Sequence, residues 1–163
     1  MRATVLSKFA DDVSTDDMSS AKYVTSTSPN ELARICMRDL DPAFPQKMAM
    51  GGFVVAGKNF GCGSSREWGP IGMKAAGTLC VVAEEFARIF YRNAINIGLP
   101  VIECYGAEKQ IDLNDELEVD VSSGIIINHT KAITLKGIPI PDFLLEQLAM
   151  GGLKEKLRKS LHK

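Results

Sequence analysis

The spacing of apolar positions changes along the chain, and each change marks an element. Ala3 to Lys8 alternates as a short strand. Phe9 to Ser28 carries no period and is rich in Asp, Ser and Thr. An irregular stretch of this length in a folded domain is expected to be functional or mobile. Pro29 to Met37 reads as a helix, with Ser28 as its cap, Pro29 at its first position and Glu31 in its first turn. Asp41 to Gly52, with Pro42 and Pro45, reads as a loop. Phe53 to Ala56, Thr78 to Ala83 and Leu99 to Glu103 are apolar enough for buried strands. Between them, a helix is expected from about Ser65 to Ala76, closed by Gly77. A second is expected over Glu84 to Ile97, where Phe86, Ile89, Phe90, Asn93 and Ile97 recur at spacings of three and four before Gly98. This alternation predicts an α/β fold with a largely parallel central sheet.

The C-terminal third is patterned differently. Glu116 to Val121 and Ile125 to Asn128 read as strands joined by a Ser122-Ser123-Gly124 turn, with a further strand over Ala132 to Leu135. Asp142 is placed to cap a helix over Phe143 to Met150. Gly151-Gly152 breaks that helix, and a basic amphipathic tail follows from Leu153 to the end, read as a solvated terminal helix.

Composition narrows the function classes. The 163 residues suit one domain with a real core, 1–163, whose helical tail covers about 142–163. The formal net charge of −1, with both signs interspersed, argues against an electrostatic grip on nucleic acid. No apolar run approaches the roughly 18–20 residues of a membrane span, so no membrane partner is expected. The N-terminal MRATVLSKFADD shows no secretory h-region, and the cytoplasm is the expected compartment. Cys36, Cys62, Cys80 and Cys104 form no CxxC pair, so neither a disulfide framework nor a metal-ligand cluster is expected in this chain. Cys36, Cys80 and Cys104 read as small semi-buried thiols.

The densest chemistry lies in Asn59 to Pro70, NFGCGSSREWGP. Several nucleotide and nucleophile motifs nearly fit and fail. Gly52 to Lys58 matches the start of a P-loop, but Asn59 stands where a magnesium-binding Ser or Thr belongs, and the interior reads as strand. Gly61-Cys62-Gly63 opens a dinucleotide fingerprint, but Arg66 occupies the third glycine position. The G-x-S-x-G elbow is absent. Cys62 has no histidine near it in sequence, as His129 and His162 lie far downstream. Gly61 and Gly63 would let the backbone turn sharply and approach a ligand. Ser64, Ser65 and Arg66 would then open a helix, where free N–H groups and a guanidinium favour an anion. The alternative is structural: Ser64 caps the helix and Arg66 pairs with Glu67 or Glu84.

NFGCGSSRE, followed by GTLCVVAEEFARIFYRNAINIGLPVIEC, resembles the aconitase superfamily, and within it the stand-alone small subunits of 3-isopropylmalate dehydratase and homoaconitase. The resemblance begins at Phe9-Ala10-Asp11-Asp12-Val13-Ser14-Thr15-Asp16, runs through Tyr23, and fades after about Glu103. It implies a three-layer swivelling β/β/α domain that closes over a large subunit carrying an iron–sulfur (4Fe–4S) cluster. There the open iron serves as a Lewis acid on a small hydroxy-diacid. It further implies that Ser64 acts as an alkoxide base, that Ser65 donates a hydrogen bond, and that Arg66 binds a substrate carboxylate or stabilises the alkoxide. Gly63 lets the ligand approach, and Asp16 orients an arginine, either Arg66 or one from the large subunit.

The loop after Tyr23 helps choose the substrate in such proteins. Homoaconitase-like chains carry an arginine there, for a distal carboxylate, and isopropylmalate-type chains carry apolar residues. This chain has Tyr23-Val24-Thr25-Ser26, with Thr25 at the arginine's position. An unpaired carboxylate in a closed site is costly, so a homocitrate-like substrate is disfavoured. An isopropylmalate site is expected, with 2,3-dimethylmalate or citramalate as smaller alternatives. Trp68-Gly69 departs from the His-Ala frequent in the family. A non-catalytic binding or regulatory module is the competing class, against which the intact Ser64, Ser65 and Arg66 speak. An RNA-binding role finds no basic run to support it. Segment 17–28 is expected to be mobile without partner and substrate, and the isolated chain is expected to be able to form homo-oligomers.

Overall fold

In the computed structural model, which describes residues 1–161, the strand and helix runs form one seven-stranded mixed sheet in the order β4-β3-β2-β1-β5-β6-β7. Its strands are β1 (Arg2–Phe9), β2 (Gly52–Ala56), β3 (Thr78–Ala83), β4 (Val101–Glu103), β5 (Glu116–Asp120), β6 (Ile125–Asn128) and β7 (Ile133–Lys136). β1 joins two halves. Its second half runs parallel to β2, through Val5↔Phe53 and Phe9↔Ala56. Its first half runs antiparallel to β5, through Arg2↔Glu118 and Thr4↔Glu116.

The pleat sorts the buried side chains into two cores. Val54, Ala56, Val81, Ala83 and Val101 belong to one, shared with the helices. Phe53, Val55, Cys80, Val82 and Ile102 belong to the other, shared with Leu117, Val119, Ile126 and Leu135 of the antiparallel strands. The layers are therefore helices, parallel strands and antiparallel strands, as a β/β/α arrangement requires. Apolar on both faces, β2 and β3 could only be central.

The helices are α1 (Thr15–Met18), α2 (Pro29–Ile35), α3 (Phe44–Met48), α4 (Trp68–Ala76), α5 (Arg88–Ile97), α6 (Ala107–Gln110), α7 (Asp142–Ala149) and α8 (Leu153–Leu161). Three were not expected. α1 stands on a capping box in which Ser14 and Asp17 satisfy each other's backbone. α3 starts where Pro45 presets the first turn, inside the expected loop. α6 is a single turn after β4. Two others start later than their periodicity suggested. α4 begins at Trp68 because the Ser65 carbonyl accepts from Asn93 Nδ2 (3.0 Å), and Pro70 has no N–H for the Arg66 carbonyl. α5 begins at Arg88 because Glu85 and Ala87 bond to Phe60 instead, and Phe60 and Phe86 form a parallel bridge. Asp142 is the first residue of α7 and provides no side-chain cap. α8 buries none of its residues, and the remainder of the expected tail, with His162, lies outside the described residues.

Candidate active site

The loop from Gly57 to Glu67 follows β2 and is held mainly through its backbone. Gly57 N–H donates to Phe9 O, Asp12 N–H to Lys58 O, Gly61 N–H to Val13 O and Thr15 N–H to Cys62 O. The Asp11 carboxylate accepts from Lys58 N–H at 2.7 Å, and Asp12 accepts from Asn59 Nδ2 at 2.8 Å. The 9–16 stretch thus fastens the loop along its length, which explains its many short polar residues. Below the loop sit Phe60, Phe86 and Phe90, with Phe60 edge-on to Phe90 at 5.3 Å and Phe86 stacked on Phe90 at 5.8 Å. A Cβ at Gly61 would land on the Phe90 ring, and its φ of +83° is left-handed, so only glycine suits both constraints.

Thr15 links the loop to α1. Its buried hydroxyl accepts from Ser64 N–H at 2.8 Å and faces the carbonyls of Cys62 and Ser64 at 3.2 and 3.3 Å. They fasten the backbone at Ser64, a residue that lines a small cleft. The cleft is lined by Thr15, Asp16, Ser19, Ser64, Arg66, Trp68 and Gly69. The space in it open to a water-sized group is about 10 Å³, room for about one water oxygen. Asp16, Ser64 and Arg66 therefore come together from two separate stretches of chain. Ser19 joins them, a residue that no spacing or motif had marked.

The Ser64 side chain accepts one long hydrogen bond, from Arg66 N–H at 3.3 Å. It does not cap α4, whose N-cap is Glu67 with no side-chain bond. The Arg66 guanidinium lies 4.7 Å over the Trp68 ring instead of pairing with Glu67 or Glu84. The structural alternative for both residues therefore does not hold. Ser64 and Ser65 precede α4 instead of opening it, and the amide bonded to the Ser64 hydroxyl is a loop amide.

The other expected site residues lie outside the cleft lining. Gly63 lines a neighbouring hollow with Asn59, Gly61 and residues 85–89. Ser65 is exposed. Tyr23 turns to Asp39, with its hydroxyl donating at 2.8 Å, and Lys22 and Arg38 lie over its ring. Val24 is half-buried, Thr25 and Ser26 are exposed, and Thr25 Oγ1 reaches Glu31 at 3.5 Å. The 17–28 segment is thus anchored at Tyr23 and open beyond it. Burial, and then the nearby Asp12 carboxylate, push the Cys62 thiol above its ordinary range, the wrong direction for a thiolate nucleophile.

Residues 17–105 match the aconitase C-terminal domain family. The isopropylmalate/citramalate isomerase small subunit of Methanocaldococcus jannaschii is 51% identical over 154 residues, 94% of this chain and 92% of that one. The chain belongs to this family. Within the aconitase C-terminal domains it stands among the 3-isopropylmalate dehydratase small subunits. The one from Caldicellulosiruptor bescii is 51% identical over 156 residues, 96% of this chain and 94% of its own. The crystal structure of 3-isopropylmalate dehydratase from M. jannaschii superposes with a TM-score of 0.89 at 42% identity, covering 98% of this chain and 95% of that one. The family match spans the Gly-Ser loop, the Phe platform beneath it and α5. No helix among the described residues is long and apolar enough to cross a membrane.

Proposed function

We propose that this chain is the swivelling half of a two-subunit hydro-lyase that isomerises 2- and 3-isopropylmalate by removing and readding water. The observation that carries this reading is the cleft, in which Asp16, Ser64 and Arg66 face one oxygen-sized space in a chain of this family. The cleft cannot enclose a diacid by itself. It is one wall of a site, and a large subunit supplies the other.

Ser64, ionised, takes the proton from the carbon next to a carboxylate. The C–H electron pair becomes the double bond, and the hydroxyl on the neighbouring carbon leaves as water, for which the large subunit would supply the acid. The Ser64 hydroxyl needs help to ionise, and the Arg66 N–H and guanidinium are the positive groups beside it. Swung off Trp68, Arg66 grips the carboxylate and draws the acidic C–H toward Ser64. Asp16 steadies that arginine or one from the large subunit, and Ser65, on the exposed rim, adds a donor once the subunits close. Among the described residues no three His, Cys, Asp or Glu side chains meet to hold a metal ion. The residues present do not fit an iron–sulfur cluster, which we assign to the large subunit. The four free cysteines suit a reducing cytoplasm.

Thr25 carries the substrate choice. Uncharged, and beside Glu31, it offers nothing to a third carboxylate. A second reading, citramalate as the substrate, is favoured by the name of the M. jannaschii relative. The test is anaerobic reconstitution with the cognate large subunit and a panel of 3-isopropylmalate, citramalate, 2,3-dimethylmalate and homocitrate. Preference for 3-isopropylmalate supports the leading reading, and preference for citramalate the second. Preference for homocitrate overturns the Thr25 argument. No turnover of any of them overturns the function.

A further inference from the structure

Among the described residues two buried side-chain hydroxyls have no hydrogen-bond partner, those of Ser19 and Thr78. Thr78 opens β3 and lines no part of the cleft. Ser19 does line it, beside Asp16, Ser64 and Arg66. Its residue is 3% exposed, and its backbone is already committed, with N–H donating to Thr15 O at 3.1 Å. A buried hydroxyl without a partner is a standing cost that folded proteins rarely retain. It is retained here in the lining of the cleft, where there is room for an acceptor the size of one oxygen.

We infer that Ser19 is a further substrate-contacting residue: its hydroxyl donates to one carboxylate oxygen of the hydroxy-diacid, the carboxylate that Arg66 grips. The inference rests on the function proposed above. The chemistry of the lining selects the group. Thr15 is engaged with the loop backbone, so Ser19, Ser64, Arg66 and the Trp68 indole N–H are the side-chain donors left in the lining. Asp16 is the one carboxylate in the lining, and the arginine it steadies offsets its repulsion of an anion held beside it. Seating an oxygen on Ser19 would fix where the carboxylate sits, and with it the distance from the acidic C–H to Ser64.

The test uses the reconstituted two-subunit enzyme with Ser19→Ala and Ser19→Cys. KM, kcat and the inhibition constant of an alkyl-succinate are measured, the last keeping both carboxylates but having no hydroxyl to lose. The unfolding midpoint of each isolated chain is recorded alongside. The expected result for both variants is a midpoint at or above that of the unsubstituted chain. KM and the inhibition constant should rise together by about 10- to 100-fold, with kcat within a few-fold. Unchanged KM and inhibition constant in an otherwise active enzyme would overturn the role of Ser19 alone. A lowered midpoint with losses in kcat and KM together would make Ser19 structural and overturn it too. An unsubstituted complex inactive on every hydroxy-diacid would remove the underlying function and this inference with it.

Discussion

Two turns of this protein use the same residues for opposite ends. The hairpin between β5 and β6 is Ser122-Ser123-Gly124, and the loop after β2 contains Gly63-Ser64-Ser65. In the hairpin both hydroxyls donate to one carboxylate, Ser122 to Asp120 at 2.6 Å and Ser123 to Asp120 at 2.7 Å. These bonds, Ser122's first, hold the Asp120 carboxyl down at about 2. In the loop the backbone is fastened by Thr15 and Asn93, while Ser64 Oγ receives a single long bond and Ser65 is exposed. Composition is the same in both. A serine is available for chemistry when its neighbours satisfy its backbone and leave its hydroxyl without a close partner.

The contrast can be broken first at the glycines. Gly61→Ala would place a methyl group on the Phe90 ring at a left-handed φ. It should lower stability by about 3 kcal/mol or more and abolish turnover. Gly63→Ala meets Thr15 Oγ1 at an ordinary 3.4 Å, so backbone strain at its positive φ is the main cost, about 1 kcal/mol. Chemical denaturation of both variants checks the order. A Gly61→Ala chain as stable as the parent would mean that the platform does not pin the loop.

Thr25→Arg is expected to have the next largest effect. The new guanidinium should raise kcat/KM for homocitrate relative to 3-isopropylmalate by about 10-fold or more, as one charged hydrogen bond would. Glu31, already shared with Arg34, lies beside the position and would compete for it. An unchanged ratio would place substrate choice elsewhere.

The hairpin should respond least. Ser123→Ala is expected to cost about 1 kcal/mol or less and to leave turnover unchanged. Because the folded-state pKa of Asp120 is depressed, its contribution is present above about pH 4 and is lost as pH falls toward 2. Asp120→Asn should flatten that part of the acid unfolding curve. The same curve in both chains would mean that the serines hold the turn without the charge.

The amino-acid pattern carried most of the sheet and less of the site. The apolar runs of β2 and β3 could be read directly, because strands buried on both faces leave no polar positions. The starts of α4 and α5 could not. There a side chain, Asn93, and a distant backbone, Phe60, take the bonds a helix would have used. Such competition is invisible to local periodicity. Ser64 and Arg66 stood out by their setting among glycines, and Asp16 by family resemblance. Ser19 did not stand out at all, since an unpartnered hydroxyl is a property of packing and no motif encodes it.

The most direct test of the account is turnover of 3-isopropylmalate by the reconstituted enzyme carrying Ser64→Ala, with the subunit complex isolated to confirm assembly. An intact complex is expected, with a kcat lower by about two to four orders of magnitude, the loss that follows when a proton-abstracting group is removed. An intact complex with near-normal kcat would contradict it, because the hydroxyl the fold leaves free would then not be the one that takes the proton.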